Sequence, residues 1–303
     1  MVLRLYQQDH AMIKTLTAIF TIVDDFCTEF DDRWSQLKIS NKINSRNRKG
    51  QIAQSEIMTI LIAFQLSDHR HLKGYYSFIE THHRQCFPTL VSYTRFVELT
   101  KGTLVPLMAF FNFVKSESTG VSFIDSTAIR VCKTKRLFNH KVFRGMATRG
   151  KSTLGWFFGF KLHLIIDQCG SPISFKMTKG NADDRSVVED LSRNLRGKIF
   201  GDKGYISKKL FNLLFARGLH LVTAIKKNMK PRLMTQNDSV TLKKRGIIES
   251  VFNVMKNMMH LEHSRHRSVL NFMVNIVGVV VGYSLKHLKC RDIEVKKTCL
   301  INE

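Results

Sequence analysis

The feature that most constrains how this chain can fold is a change of pattern near Val121. Upstream, apolar residues recur at helical spacing in "MIKTLTAIFTIVDDFCTEF", "SEIMTILIAFQLS" and "TLVPLMAFFNFVKS". Ser55 with Glu56 marks a helix start. Downstream, "VSFIDSTAIRV" and the long run "GWFFGFKLHLIID" read as strands, and "CGSP" turns into a third, "ISFKMTKG". A helix "DDRSVVEDLSRNL", a strand "KIFGD", a helix "SKKLFNLLFARG" and a strand "LHLVTAI" then alternate. Three strands followed by alternating helix and strand predict an α/β fold, a mixed sheet with helices packed on it. The polar stretch from Lys226 to Gly246 has no period and reads as a loop, and two helices follow it. The expected organisation is a mostly α-helical, basic region over 1–118, an α/β domain over 119–290 and a tail over 291–303.

Charge narrows the partner. Lys and Arg number 48 against 24 Asp and Glu, a formal net charge of +24. The excess is spread along the chain, and the usual reason to carry such self-repulsion is a polyanion, with nucleic acid first. A membrane is the weaker alternative. The most apolar run, Phe272 to Leu285, is 14 residues long and contains Asn275 and Ser284; a span needs about 20. The N-terminus lacks the order of a secretory signal. Six scattered cysteines indicate neither a zinc site nor a disulfide frame. A cytoplasmic setting with reduced thiols is expected.

Three acids stand out by position. Asp125 lies inside the first strand between apolar neighbours, Asp202 ends a later strand in "KIFGDKGY", and Glu249 sits in the helical stretch "RGIIESVFNVMK". At roughly 100° per residue, Ile247, Val251, Val254 and Met258 share one face, and Arg245, Glu249, Asn253, Lys256 and His260 the opposite one. Carboxylates from two strands and a helix can converge only if something offsets their repulsion. Hard divalent cations do so, Mg²⁺ with one or two carboxylates per ion. Two such ions about 3.5–4 Å apart serve phosphodiester chemistry. Gly201 and Gly204 would then leave room beside the backbone. Taken singly, each acid has a plainer reading: Asp202 as a turn or cap, Glu249 as a helix residue paired with Arg245 four positions earlier. Asp183–Asp184 reads as a helix N-terminus, Asp167 as a hairpin turn, and Tyr75 and Tyr76 as core.

In this order, "FIDSTAI", "GFKLHLIID", "TKGNADDR", "FGDKGY" and "RGIIESVFNVMK" resemble the DDE transposases of bacterial insertion sequences. The nearest branch resembles the insertion sequence 982 family, in the superfamily with a Tyr-x2-Arg-x3-Glu-x6-Lys signature. Arg245, Glu249 and Lys256 keep that signature's spacing, while its tyrosine position holds Leu242. The resemblance implies a ribonuclease H-like catalytic domain with Asp125, Asp202 and Glu249 as catalytic, metal-binding residues for two Mg²⁺ or Mn²⁺ ions. It implies that Arg245, Lys256 and Lys203 hold DNA phosphate. It also implies DNA cleavage at the element's ends and strand transfer into target DNA, with no covalent enzyme intermediate. The helical region would bind the terminal inverted repeats of double-stranded DNA, in a homo-oligomer on a bacterial nucleoid. The alternatives are a non-catalytic DNA-binding protein and a stand-alone nuclease of the same fold.

Overall fold

The computed structural model describes residues 2–40, 50–152, 155–225, 228–229, 234–262 and 266–288. The tail expected over 291–303 lies outside the described residues. The chain divides into two compact units. The first carries α1 (Val2–Ser40), α2 (Gln54–Leu66), α3 (Leu72–His82), α4 (Tyr93–Leu99) and α5 (Leu104–Val114). The start expected at Ser55 falls one residue inside α2, where Glu56 reaches back to accept from the Ala53 N–H at 2.7 Å. Tyr75 and Tyr76 are fully buried, so both are core residues, as expected.

The second unit is built on a six-stranded mixed sheet. Its elements are β1 (Val121–Cys132), β2 (Thr148–Ser152), β3 (Gly155–Asp167), β4 (Pro172–Lys179), the short helix α6 (Val188–Leu191), β5 (Gly197–Gly201), α7 (Lys208–Ala216), β6 (Leu219–Thr223), α8 (Gln236–Lys243) and α9 (Ile247–Asn257). β1 is central, antiparallel to β3 from Ser122↔Asp167 to Cys132↔Phe158 and parallel to β5 from Val121↔Lys198 to Phe123↔Phe200. β6 continues the sheet parallel to β5. β1 takes one edge of β3, so β2 and β4 share the other end to end. Gly150 and Gly180 meet where they abut, and a Cβ on Gly150 would fall 2.1 Å from the Gly180 carbonyl oxygen.

Strand alternation then sorts the faces. Ile124, Ile165, Ile199 and Leu221 join Val188, Leu191, Leu210 and Leu214 in one buried cluster. Asp125, one residue along from Ile124, projects from the opposite face of the sheet.

Three expectations are revised. Residues 236–243, expected as loop, are helix: Thr235 caps them by accepting from the Asp238 N–H, and Asp238 is gripped by Lys198 at 2.7 and 2.9 Å. The helix expected from Asp183 onward shrinks to a 3₁₀ turn and the four residues of α6. The last helix, α10 (Val269–His287), is longer than the apolar run suggests, and Leu270–Lys286 group with the helical unit although the expected boundary lies at 290. Two segments, Tyr93–Val114 and Val269–His287, are long and apolar enough to cross a membrane, which the run lengths in the sequence do not suggest. α10 is mostly buried, and Gln65 donates to the Asn275 side chain at 2.9 Å.

Candidate active site

The site grows from the face of β1 opposite the Ile124 cluster. Asp125 Oδ1 accepts from the Ser126 N–H at 2.8 Å, and Oδ2 accepts from Arg245 Nη1 at 3.0 Å. Burial pushes the Asp125 carboxyl up to about 6, against the pull of the Ser126 N–H and Arg245; the charges of Asp202 and Glu249 push it further the same way. Three acids far apart in sequence therefore share one electrostatic neighbourhood.

Arg245 is its hinge. It sits in the 3₁₀ turn Lys244–Gly246 that leads into α9, and its second terminal nitrogen donates to Glu249 Oε1 at 3.3 Å. One guanidinium thus bridges a largely buried aspartate and a glutamate whose side chain is 66% exposed. The plainer reading of Glu249, paired with Arg245 across one helical turn, is met by this contact.

Asp202 follows β5 directly and opens the 3₁₀ turn Lys203–Tyr205; it is exposed, as are Lys203 and Gly204. Gly201 serves packing rather than open space. A Cβ there would lie 3.0 Å from the Tyr205 ring and 3.1 Å from Ile124, whereas one on Gly204 would meet nothing within 4 Å.

Lys256 is held more tightly than a solvated helix cation. Its ammonium donates to the Ala128 carbonyl of β1 at 2.7 Å and lies 3.8 Å from Glu262. Burial pushes its pKa down, with Glu262 opposing. Glu262 also accepts from the Arg130 N–H at 2.9 Å, pinning the chain after α9 to β1.

The buried face of α9 is Ile248, Val251, Phe252 and Met255. This corrects the face expected at Ile247, Val251, Val254 and Met258; Met258 is 60% exposed. His260 lies beyond the helix, at φ 54°, and is not part of its polar stripe. Of the polar stripe expected opposite the apolar face, Glu249 points outward, whereas Arg245 and Lys256 are mostly covered and bonded to β1.

Two residues near the site carry no distinguishing signal in the sequence. Tyr205 is buried under Gly201, and its hydroxyl is pushed above the usual tyrosine range by burial and then by Asp125, Asp184 and Asp202. His163, opposite Ser126 in the sheet, is fully buried and bonded to the Thr178 hydroxyl at 2.8 Å. Asp184 is salt-bridged to Lys161 at 2.9 Å, while Asp183 caps its turn by accepting from the Arg185 N–H. Asp167 is a turn residue, accepting from the N–H groups of Cys169 and Ser171.

The donor chemistry of Asp125, Asp202 and Glu249 suits a hard divalent cation, because carboxylate oxygens are what such ions bind. Among the described residues, no three His, Cys, Asp or Glu side chains stand gathered as a ready metal cage. The countercharge at Asp125 and Glu249 is Arg245.

A family model, the transposase DDE domain, matches residues 115–269, just over half of the 303 residues. The chain belongs to the DDE transposase family. The match covers the sheet, the acids on β1 and after β5, and α9. Among solved structures, this transposase is similar to a piggyBac transposase synaptic complex with hairpin DNA, at 13% identity over 95% of this chain and 80% of that one, TM-score 0.44. It is also similar to a Mos1 transposase paired-end complex with the left transposon end, at 13% identity over 89% and 86%, TM-score 0.23. A pre-cleavage Mos1 transpososome matches at 12% identity with the same coverage and TM-score. These remote likenesses carry no part of the assignment, which rests on the family match. No curated protein matches the chain.

Proposed function

We propose that this transposase cleaves DNA at the ends of an insertion sequence of the 982 type and joins those ends to target DNA. Asp125, Asp202 and Glu249 are the catalytic carboxylates, on a ribonuclease H-like domain. The observation that supports the reading is that Asp202 and Glu249 both act electrostatically on Asp125, with Arg245 paired to Asp125 and Glu249, inside the segment that matches the family. Asp125, Asp202 and Glu249 would hold one or two Mg²⁺ or Mn²⁺ ions; when bound, such ions stabilise charge on the phosphodiester.

The chain's own cations do the rest. Arg245 spends one N–H on each carboxylate, and a guanidinium carries five, so donors remain for a phosphate oxygen. Lys256 spends one of its three on Ala128 and can present the others. Lys203, exposed beside Asp202, adds a third positive group. The exposure of Glu249 and Asp202 leaves this side of the site open to a duplex. The helical unit would recognise the terminal inverted repeats, and a homo-oligomer would hold two ends in a bacterial cytoplasm.

The test is a strand-transfer assay with labelled duplex carrying the element's ends, supercoiled target and Mg²⁺. Wild type should yield joined product, and Glu249→Gln or Asp202→Asn should lose at least about 10³-fold of it while still binding DNA. Cutting without joining would make the chain a nuclease. Binding with neither would make it a non-catalytic DNA-binding protein.

A further inference from the structure

The stretch between Asp125 and Asp167 contains nine Lys and Arg and no acid. It runs out from the catalytic strand, through a loop, to the hairpin of β2 and β3. All nine cations except Lys161 are exposed. Phe138 is 85% exposed in the loop, and Trp156 is 53% exposed on the hairpin. Lys151 stands directly across from Trp156 in the ladder, and Arg149, two residues back, shares its face. The Arg149 guanidinium lies over the indole, 4.4 Å from its centroid, and the Lys151 ammonium is 5.8 Å away. More than half of the tryptophan stays open to solvent.

A large exposed aromatic ring amid one sign of charge marks a contact surface. The charge selects the occupant. A second copy of this chain, at +24, would be repelled by such a face, and an acid-free stretch of nine cations suits a polyanion. The ring refines the choice further. In an intact duplex both faces of each base are covered by its neighbours, so an indole can stack only on a base at an open end, beside a nick or turned out of the helix. Base–aromatic stacking with flanking cations on phosphates is how proteins hold unpaired nucleotides.

We propose that the β2–β3 hairpin is a second DNA contact, separate from the carboxylate site, in which Trp156 stacks on one unpaired nucleobase while Arg149 and Lys151 engage the adjoining phosphates. It rests on the reading that this chain acts on DNA. Such a contact would distinguish an opened DNA end from continuous duplex and hold it on the sheet that carries Asp125.

The test is equilibrium binding of the full chain, in chelator so that nothing is cut. Two labelled probes are compared by anisotropy: a blunt duplex and the same duplex with three unpaired nucleotides at one end. Trp156→Ala should lose about 5- to 100-fold affinity for the open-ended probe and stay within about twofold of wild type on the blunt one. Trp156→Phe should keep most of the affinity, and thermal melts matching wild type would establish that the variants are folded. Arg149→Ala with Lys151→Ala should weaken both probes and reduce the salt slope by about 2. In a Trp34→Phe background, the open-ended probe should quench the emission of Trp156. Equal affinity of Trp156→Ala and wild type for the open-ended probe would overturn the proposal and leave the transposase reading intact. Failure of wild type to bind either probe would overturn both.

Discussion

At the scale of single residues, His163 ties the stability of the fold to pH. Its ring is fully buried beside Thr178, with Lys161, Lys176 and Asp184 as its charged neighbours. Burial pushes its pKa down to about 4; Asp184 opposes this and the two lysines add to it. The folded state therefore refuses a proton that the unfolded chain takes up near the ordinary histidine value of 6.5. Stability from this group is complete above about 6.5 and is lost as pH falls toward 4, by up to about 3 kcal/mol. Urea denaturation of wild type and His163→Gln at pH 7.5, 6 and 4.5 checks it. The variant, which does not titrate, should lose less stability on acidification, and parallel curves would assign the acid sensitivity elsewhere. His163 alternates with its strand neighbours as any core residue does, so its charge state becomes readable only once Lys161 and Asp184 are known to flank it. Asp125, by contrast, is visible from the sequence as a charge set among apolar neighbours. What the sequence hides is the length of Arg245's reach, 120 positions back to Asp125 as well as four forward to Glu249.

Among the elements, α9 shows how far periodicity carries and where it stops. Its apolar residues form a stripe wide enough for two adjacent registers, and helical spacing is satisfied by either. Ile248, Val251, Phe252 and Met255 are the ones buried, so Phe252 fills the interface while Met258 faces solvent. Either register leaves Glu249 outward, which is why its exposure was legible although the buried face was not. Phe252→Ala should cost about 3–5 kcal/mol, and Met258→Ala within about 0.5 kcal/mol. Thermal melts of the two variants decide it, and a costly Met258 substitution would restore the other register. α8 was legible in principle, since Thr235 followed three residues later by Asp238 is a capping pattern. The surrounding lysines and polar residues mask it by removing the apolar period. The allegiance of α10 was not legible, because an apolar helix states that it is buried and not against what.

For the whole molecule, net charge governs how stability answers to salt and to DNA. With 48 basic and 24 acidic residues, exposed cations repel one another over distances that salt screens, about 8–10 Å at physiological ionic strength. The ion pairs at Arg84–Glu80 and Arg95–Glu98 have side chains more than half exposed, and pairs of this kind contribute about 0–1 kcal/mol. Raising salt therefore removes more repulsion than attraction, and the free protein should melt at a higher temperature in 300 mM than in 50 mM salt. Bound to duplex DNA, the sign reverses. Counterions released from phosphates return at high salt, and a footprint of six to ten phosphates loses about 10³–10⁵ in affinity between 50 and 200 mM. DNA should raise the melting temperature strongly at 50 mM and little at 300 mM, because a ligand stabilises in proportion to the logarithm of its occupancy ratio. Melts at both salts with and without DNA separate the two effects within one experiment. If the free protein instead lost stability as salt rose, its acid–base pairs would outweigh its net repulsion, and this surface would have no energetic reason to await a polyanion.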